Sequence, residues 1–171
     1  REEVFVAAPD FKENKLVTIY DGKTGRKIIS IISGSIPTND IREFKKSIYS
    51  IRVYKEDNIY LLYPLKKLIK KYNRKGELLW ENRIEDELIK SAPQNYLSSF
   101  DVNENGFVFI AYHRGKGGCI IDRNGKTCLL FKGIVETAFI RIKSDKIVYS
   151  APLLHFLFMT RVPSEIEKYC K

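Results

Sequence analysis

Three short stretches decide how this chain reads: Asp21-Gly22-Lys23-Thr24-Gly25, Asn73-Arg74-Lys75-Gly76 and Asp122-Arg123-Asn124-Gly125. Their last glycines are spaced by 51 and 49 residues. Each stretch follows an apolar run (Leu16 to Tyr20, Leu68 to Tyr72, Cys119 to Ile121) and precedes another (Ile28 to Ile32, Leu78 to Trp80, Cys128 to Phe131). Asp or Asn can bond the amides just ahead of it, and glycine accepts the positive φ that tight turns need. Each stretch therefore predicts a β-hairpin, and the near-constant spacing predicts a repeat.

A second column keeps the same phase. Glu56-Asp57-Asn58 precedes Ile59-Tyr60-Leu61-Leu62, Asn103-Glu104-Asn105-Gly106 precedes Phe107-Val108-Phe109-Ile110, and Ser144-Asp145-Lys146 precedes Ile147-Val148-Tyr149. These strands start 48 and 40 residues apart, and the distance from strand start to turn glycine is 17 residues (Ile59 to Gly76) and 18 (Phe107 to Gly125). A further strand precedes each: Ile48 to Tyr54, Leu97 to Val102 and Ala138 to Ile142. The repeating unit is thus four antiparallel strands, A to D.

Four antiparallel strands every 40 to 50 residues is the period of a β-propeller blade, whose two apolar faces are covered only when blades stack on one another. The expected fold is all-β, a propeller of about four such blades at 1–33 (strands B to D), 47–84, 96–133 and 136–171, within a single domain or fragment spanning 1–171. Asp21 to Ile28 resembles the D-x-x-T-G-x signature of PQQ-type propeller repeats, and Tyr72 to Trp80 continues it with a closing tryptophan. Phe100 to Phe109, followed by Ile121 to Lys126, resembles NHL-type and bacterial six-bladed repeats, although His113 to Gly118 stands where those carry Asn-x-Arg. The resemblance implies a ring of six to eight blades, of which this chain would be a fragment, and an extracytoplasmic scaffold or sensor. A compact four-bladed ring is the other reading. Open blade faces would lead to self-association.

Composition narrows the classes. The chain has 171 residues, 44% apolar and 30% charged, which suits a packed core rather than disorder. Its longest apolar stretch, Ile147 to Met159, contains Pro152 and His155 and is too short to span a bilayer. With 30 Lys and Arg against 21 Asp and Glu, the net charge is +9. Glycine is missing where a phosphate loop needs it, since Val17 and Ile120 stand five residues before Gly22 and Gly125. No catalytic, zinc or dinucleotide motif occurs, and Asp40, Asp101 and Glu136, near inner strands, are not repeated in phase. No cofactor or metal site is expected. A propeller-type metal-dependent hydrolase or lyase is the rival reading.

Blade geometry puts the long D-to-A links, Gly34 to Lys46 and Glu85 to Asn95, on the same rim as the B-to-C loops. Long loops on a rigid frame are where binding usually lies, so Arg42, Lys45, Lys46, Tyr63, His113, Arg114 and Lys116 form the expected face for a protein partner or small ligand. His155, among apolar neighbours, reads as structural. Six bases without an acid, Lys66, Lys67, Lys70, Lys71, Arg74 and Lys75, could bind nucleic acid or an acidic surface. The favoured reading is an exposed outer strand whose lysines block edge pairing. Cys119 and Cys128 flank a hairpin turn. A two-residue loop would set them opposite each other for a disulfide, whereas a bulge at Gly125 would turn Cys128 toward Ile120.

Overall fold

In a computed structural model of the chain, the structure describes residues 2–7, 12–33, 50–64, 66–85, 97–112, 117–132, 140–143, 146–151, 156–161 and 168. Within these every extended element is a β-strand of an antiparallel sheet. The first sheet is β1 (Glu3–Val6), β2 (Lys15–Asp21) and β3 (Lys27–Ser33) in that order. The second is β4 (Ser50–Tyr54), β5 (Asn58–Tyr63), β6 (Leu68–Tyr72) and β7 (Leu78–Arg83). The third is β8 (Leu97–Val102), β9 (Val108–Tyr112), β10 (Gly117–Ile121) and β11 (Thr127–Lys132), and the fourth β12 (Ile140–Lys143), β13 (Lys146–Ala151) and β14 (Phe156–Arg161). The all-β class and the four-strand unit expected from the repeats are the ones observed.

The chain divides into two compact units, Arg1–Tyr63 with Lys70–Trp80, and Pro64–Ile69 with Glu81–Lys171. In the first, Val17, Ile19, Ile31, Ile59, Leu61 and Leu62 are buried, and the cross-strand pair Thr18 and Ser30 is buried with its two hydroxyls bonded at 3.2 Å. That bond removes the penalty of enclosing two polar groups. In the second, all of β9 is buried, so Phe107, Phe109 and Ala111 fill one side while Val108, Ile110 and Tyr112 fill the other. Phe107, Phe109, Ala111, Ile120 and Ile140 form one cluster, with Ile142 and Ile147 packed against it. A strand enclosed on both sides explains why the sequence here is continuously apolar rather than alternating.

Two expectations are corrected. The basic run does not lie on an outer strand, because β7 pairs outside β6 and places it third of four. Cys119 and Cys128 do not bond each other: Cys119 is buried outside any disulfide, whereas Cys128 is disulfide-bonded. The turn between them is the bulged one, with Gly125 at φ 88°. A further register shift then sets Ile121 opposite Thr127 and Ile120 opposite Leu129, leaving Cys119 opposite Leu130. Cys128 is the extra residue of that bulge and never faces Cys119.

Candidate functional site

Three turns are built alike. Oδ1 of Asn73 accepts the amides of Lys75 and Glu77 at 2.9 and 3.0 Å, that of Asn103 those of Asn105 and Phe107 at 3.0 and 2.9 Å, and that of Asp122 those of Asn124 and Lys126 at 2.9 and 2.8 Å. In each, the glycine three residues on donates to the carbonyl of this first residue, at 2.9 to 3.0 Å. Asp21 does the same work differently, its Oδ1 accepting the amides of Lys23 and Thr24 and the Thr24 hydroxyl at 3.0, 2.7 and 2.9 Å. The side chain at each turn start is therefore committed to its own backbone.

Fixing the turn at Asn73 fixes where Arg74 stands. Its Nη2 donates to both carboxylate oxygens of Glu3, at 2.8 and 2.7 Å, and its Nη1 donates to Asp57. Glu3 opens β1 opposite Asp21, so it sits at the turn end of the first sheet. Asp57 belongs to the β4–β5 turn, where Glu56 and Asp57 both take positive φ, 60° and 55°. Two left-handed residues give a turn whose twist suits a tight hairpin, closed by Asn58 donating to the Lys55 carbonyl from its amide and its side chain, at 3.3 and 2.7 Å. Glu3, then Asp57, raise the Arg74 guanidinium above its ordinary value. Glu3, Phe5, Val53, Asp57 and Arg74 line a cleft of about 450 Å³. The Glu3 side chain is 11% exposed, while those of Asp57 and Arg74 are 45% exposed.

Of the expected rim face, Arg42, Lys45, Lys46, His113, Arg114 and Lys116 lie outside the described residues, as does His155. Tyr63 closes β5 and is 6% exposed, so it belongs to the core rather than to a surface. The basic run is divided: Lys66, Arg74 and Lys75 are exposed, Lys67, Lys70 and Lys71 half-buried. Lys70 and Lys71, adjacent on a strand, point to opposite faces. Lys71 Nζ lies 5.6 Å from the centre of the buried Tyr60 ring, which meets Trp80 edge-on at 6.0 Å. Burial lowers the Lys71 amine, an effect that Glu56 partly opposes. Burial, and then Tyr54, push the Tyr60 hydroxyl up to about 12. Asp101 is occupied in bonding backbone, and Asp40 and Glu136 lie outside the described residues. Among the described residues no three His, Cys, Asp or Glu could together hold a metal, and no helix is long and apolar enough to cross a membrane.

Sequence reasoning had no signal for Glu3 or Asp57. Glu3 meets a residue 71 positions away, and Asp57 reads only as turn chemistry.

No protein-family model and no curated protein matches the chain. Solved structures do. A streptogramin B lyase is 17% identical with a TM-score of 0.59, covering 91% of this chain and 50% of its own. A catalytically inactive virginiamycin B lyase from Staphylococcus aureus, solved with quinupristin, is 10% identical with a TM-score of 0.58 over 96% of this chain and 62% of its own. The WD40 domain of Neurospora crassa Pan2 is 10% identical with a TM-score of 0.53 over 93% of this chain and 45% of its own. The fold is that of a β-propeller. The chain spans about half the length of the streptogramin B lyase it matches.

Proposed function

We propose that the chain serves as a non-catalytic binding module, its long rim loops taking a protein partner or small ligand through Arg42, Lys45, Lys46, His113, Arg114 and Lys116. The observation that carries this reading is the use made of polar side chains in the frame. Asn73, Asn103 and Asp122 each hold two amides of their own turn, which stiffens the frame and leaves recognition to the long loops. The turn signatures favour PQQ-like or NHL-like blades, and that resemblance favours an extracytoplasmic compartment. Self-association through uncovered blade faces belongs to the same proposal. Nucleic-acid binding is less favoured because Lys70 and Lys71 point to opposite faces of β6 and Arg74 is held in two ion pairs, to Glu3 and Asp57.

The lyase neighbours make the rival reading concrete. Incubation with quinupristin and a divalent cation is expected to leave the compound intact, and turnover abolished by a chelator would overturn the proposal. Partners cross-linked in an extract of the protein's own cells, and retested in purified form, should be lost when the six loop residues are changed to alanine. Binding that survives this change, but not changes elsewhere, would also overturn it.

A further inference from the structure

We propose that the cleft lined by Glu3, Phe5, Val53, Asp57 and Arg74 binds an organic cation carried on an apolar stem, the chemistry of a lysine side chain or an alkylamine. None of its five residues belongs to the long loops, so its failure and that of the proposed function are distinguishable.

Charge is the first argument. Two carboxylates face one guanidinium, leaving a net negative charge in a chain whose total is +9. Arg74 reaches both Glu3 oxygens through a single nitrogen and Asp57 through another. Each carboxylate oxygen has a second lone pair free to accept, whereas the guanidinium is already shared between two acids. Three of the five guanidinium N–H groups are taken by the two acids, and an anion that reached the other two would meet both carboxylates at close range. A cation meets acceptors that are in place.

Shape is the second. A volume of about 450 Å³ falls within the roughly 300–1,000 Å³ usual for small-ligand clefts. Phe5 and Val53, both half-buried, also line the cleft, giving a short alkyl stem some apolar surface beside the charge. Asp57 is presented there by a turn in which both it and Glu56 hold a left-handed backbone without glycine. That backbone is the one the tight hairpin needs, and it is closed by the Asn58 bonds to the Lys55 carbonyl.

Hexylammonium is the probe and hexanoate the control, with amide shifts of Phe5, Val53 and Asp57 read by NMR on the full chain. Hexylammonium should move these resonances at millimolar concentration and hexanoate should not. Combining Glu3→Gln with Asp57→Asn should weaken binding at least tenfold. Arg74→Gln should strengthen it several-fold by removing the competing cation, and Arg74→Lys, which keeps the charge, should not. A Gly-Lys-Gly peptide blocked at both ends should bind as well; tighter binding than hexylammonium identifies a protein segment as the source of the cation, and weaker binding a free amine. Unchanged shifts with hexylammonium would overturn the proposal. So would hexanoate binding that Arg74→Gln abolishes, or an affinity unmoved by the paired carboxylate change in a variant with a native circular-dichroism spectrum.

Discussion

The carboxylate of Asp101 on β8 accepts the backbone N–H of Ile142 on β12 at 2.8 Å. Two residues earlier on both strands, the Ser99 hydroxyl accepts from Ile140 at 3.4 Å, and both pairs are 41 residues apart. The first strands of two successive sheets are thus joined in phase, side chain to main chain, at the interval of the repeat itself. Asp101 therefore does for the packing of sheets what a further strand would do for a sheet edge. Asp101→Ala leaves the Ile142 amide without this acceptor and should destabilise the protein by about 1–3 kcal/mol. Asp101→Asn keeps a carbonyl acceptor and should lose less than half as much in urea unfolding. Equal losses would mean that the charge, not the hydrogen bond, matters.

The three similar turns yield a substitution the protein itself suggests. Position 122 is Asp where 73 and 103 are Asn, yet all three bind their amides through one side-chain oxygen. Asp122→Asn should therefore change stability by less than about 0.5 kcal/mol, whereas Asp122→Ala should cost about 1 kcal/mol or more by abandoning two amides. Thermal unfolding of the two variants checks this, and an Asn variant as damaged as the Ala one would contradict it.

Two turn glycines separate backbone strain from crowding. Gly25 and Gly76 both hold positive φ, 67° and 84°. A Cβ on Gly25 would meet nothing within 4 Å, but one on Gly76 would lie 2.7 Å from the Ile32 amide nitrogen. Gly25→Ala should cost about 1–2 kcal/mol, the strain of an L-residue in the left-handed region. Gly76→Ala should cost a further 1–3 kcal/mol or so, because backbone must move. Similar denaturation midpoints for the two variants would show that Ile32 yields easily.

The hairpins were legible in the sequence because their information is local. A turn such as Asp122 to Gly125 carries its own acceptor and its own left-handed residue, and its flanks are apolar runs. The four-strand unit followed from phase, since two columns of turns kept one interval. What was hidden is long-range or depends on a single register step. Nothing near Glu3 announces Arg74, 71 residues on, and the facing of Cys119 depended on a bulge at Ile120 and Ile121 that the turn residues alone do not encode. The run from Lys66 to Lys75 looked like an edge because lysines commonly guard edges. In β6, with β7 outside it, Lys71 instead lays its ammonium over Tyr60. The candidate cleft was illegible for the same reason as the Arg74 pairing: its lining comes from three distant parts of the chain.

Tyr60 and Lys71 oppose each other in alkaline solution. The Tyr60 hydroxyl, ordinarily at 10.0, is raised to about 12 by burial and then by Tyr54. Its contribution is full below pH 10 and falls as pH rises toward 12, because the unfolded chain releases the proton while the folded one keeps it. Lys71 is lowered, chiefly by burial, so its contribution has the other sign: present above its unfolded value of 10.5, and lost as pH falls through the folded one. Replacing Tyr60 with Phe should therefore flatten the loss of stability between pH 10 and 12, and Lys71→Met should steepen it by removing the compensating gain. Urea midpoints at about pH 8, 10 and 11 measure both slopes. Wild type and Tyr60→Phe running parallel across that range would mean that the folded chain gives up the Tyr60 proton as readily as the unfolded one.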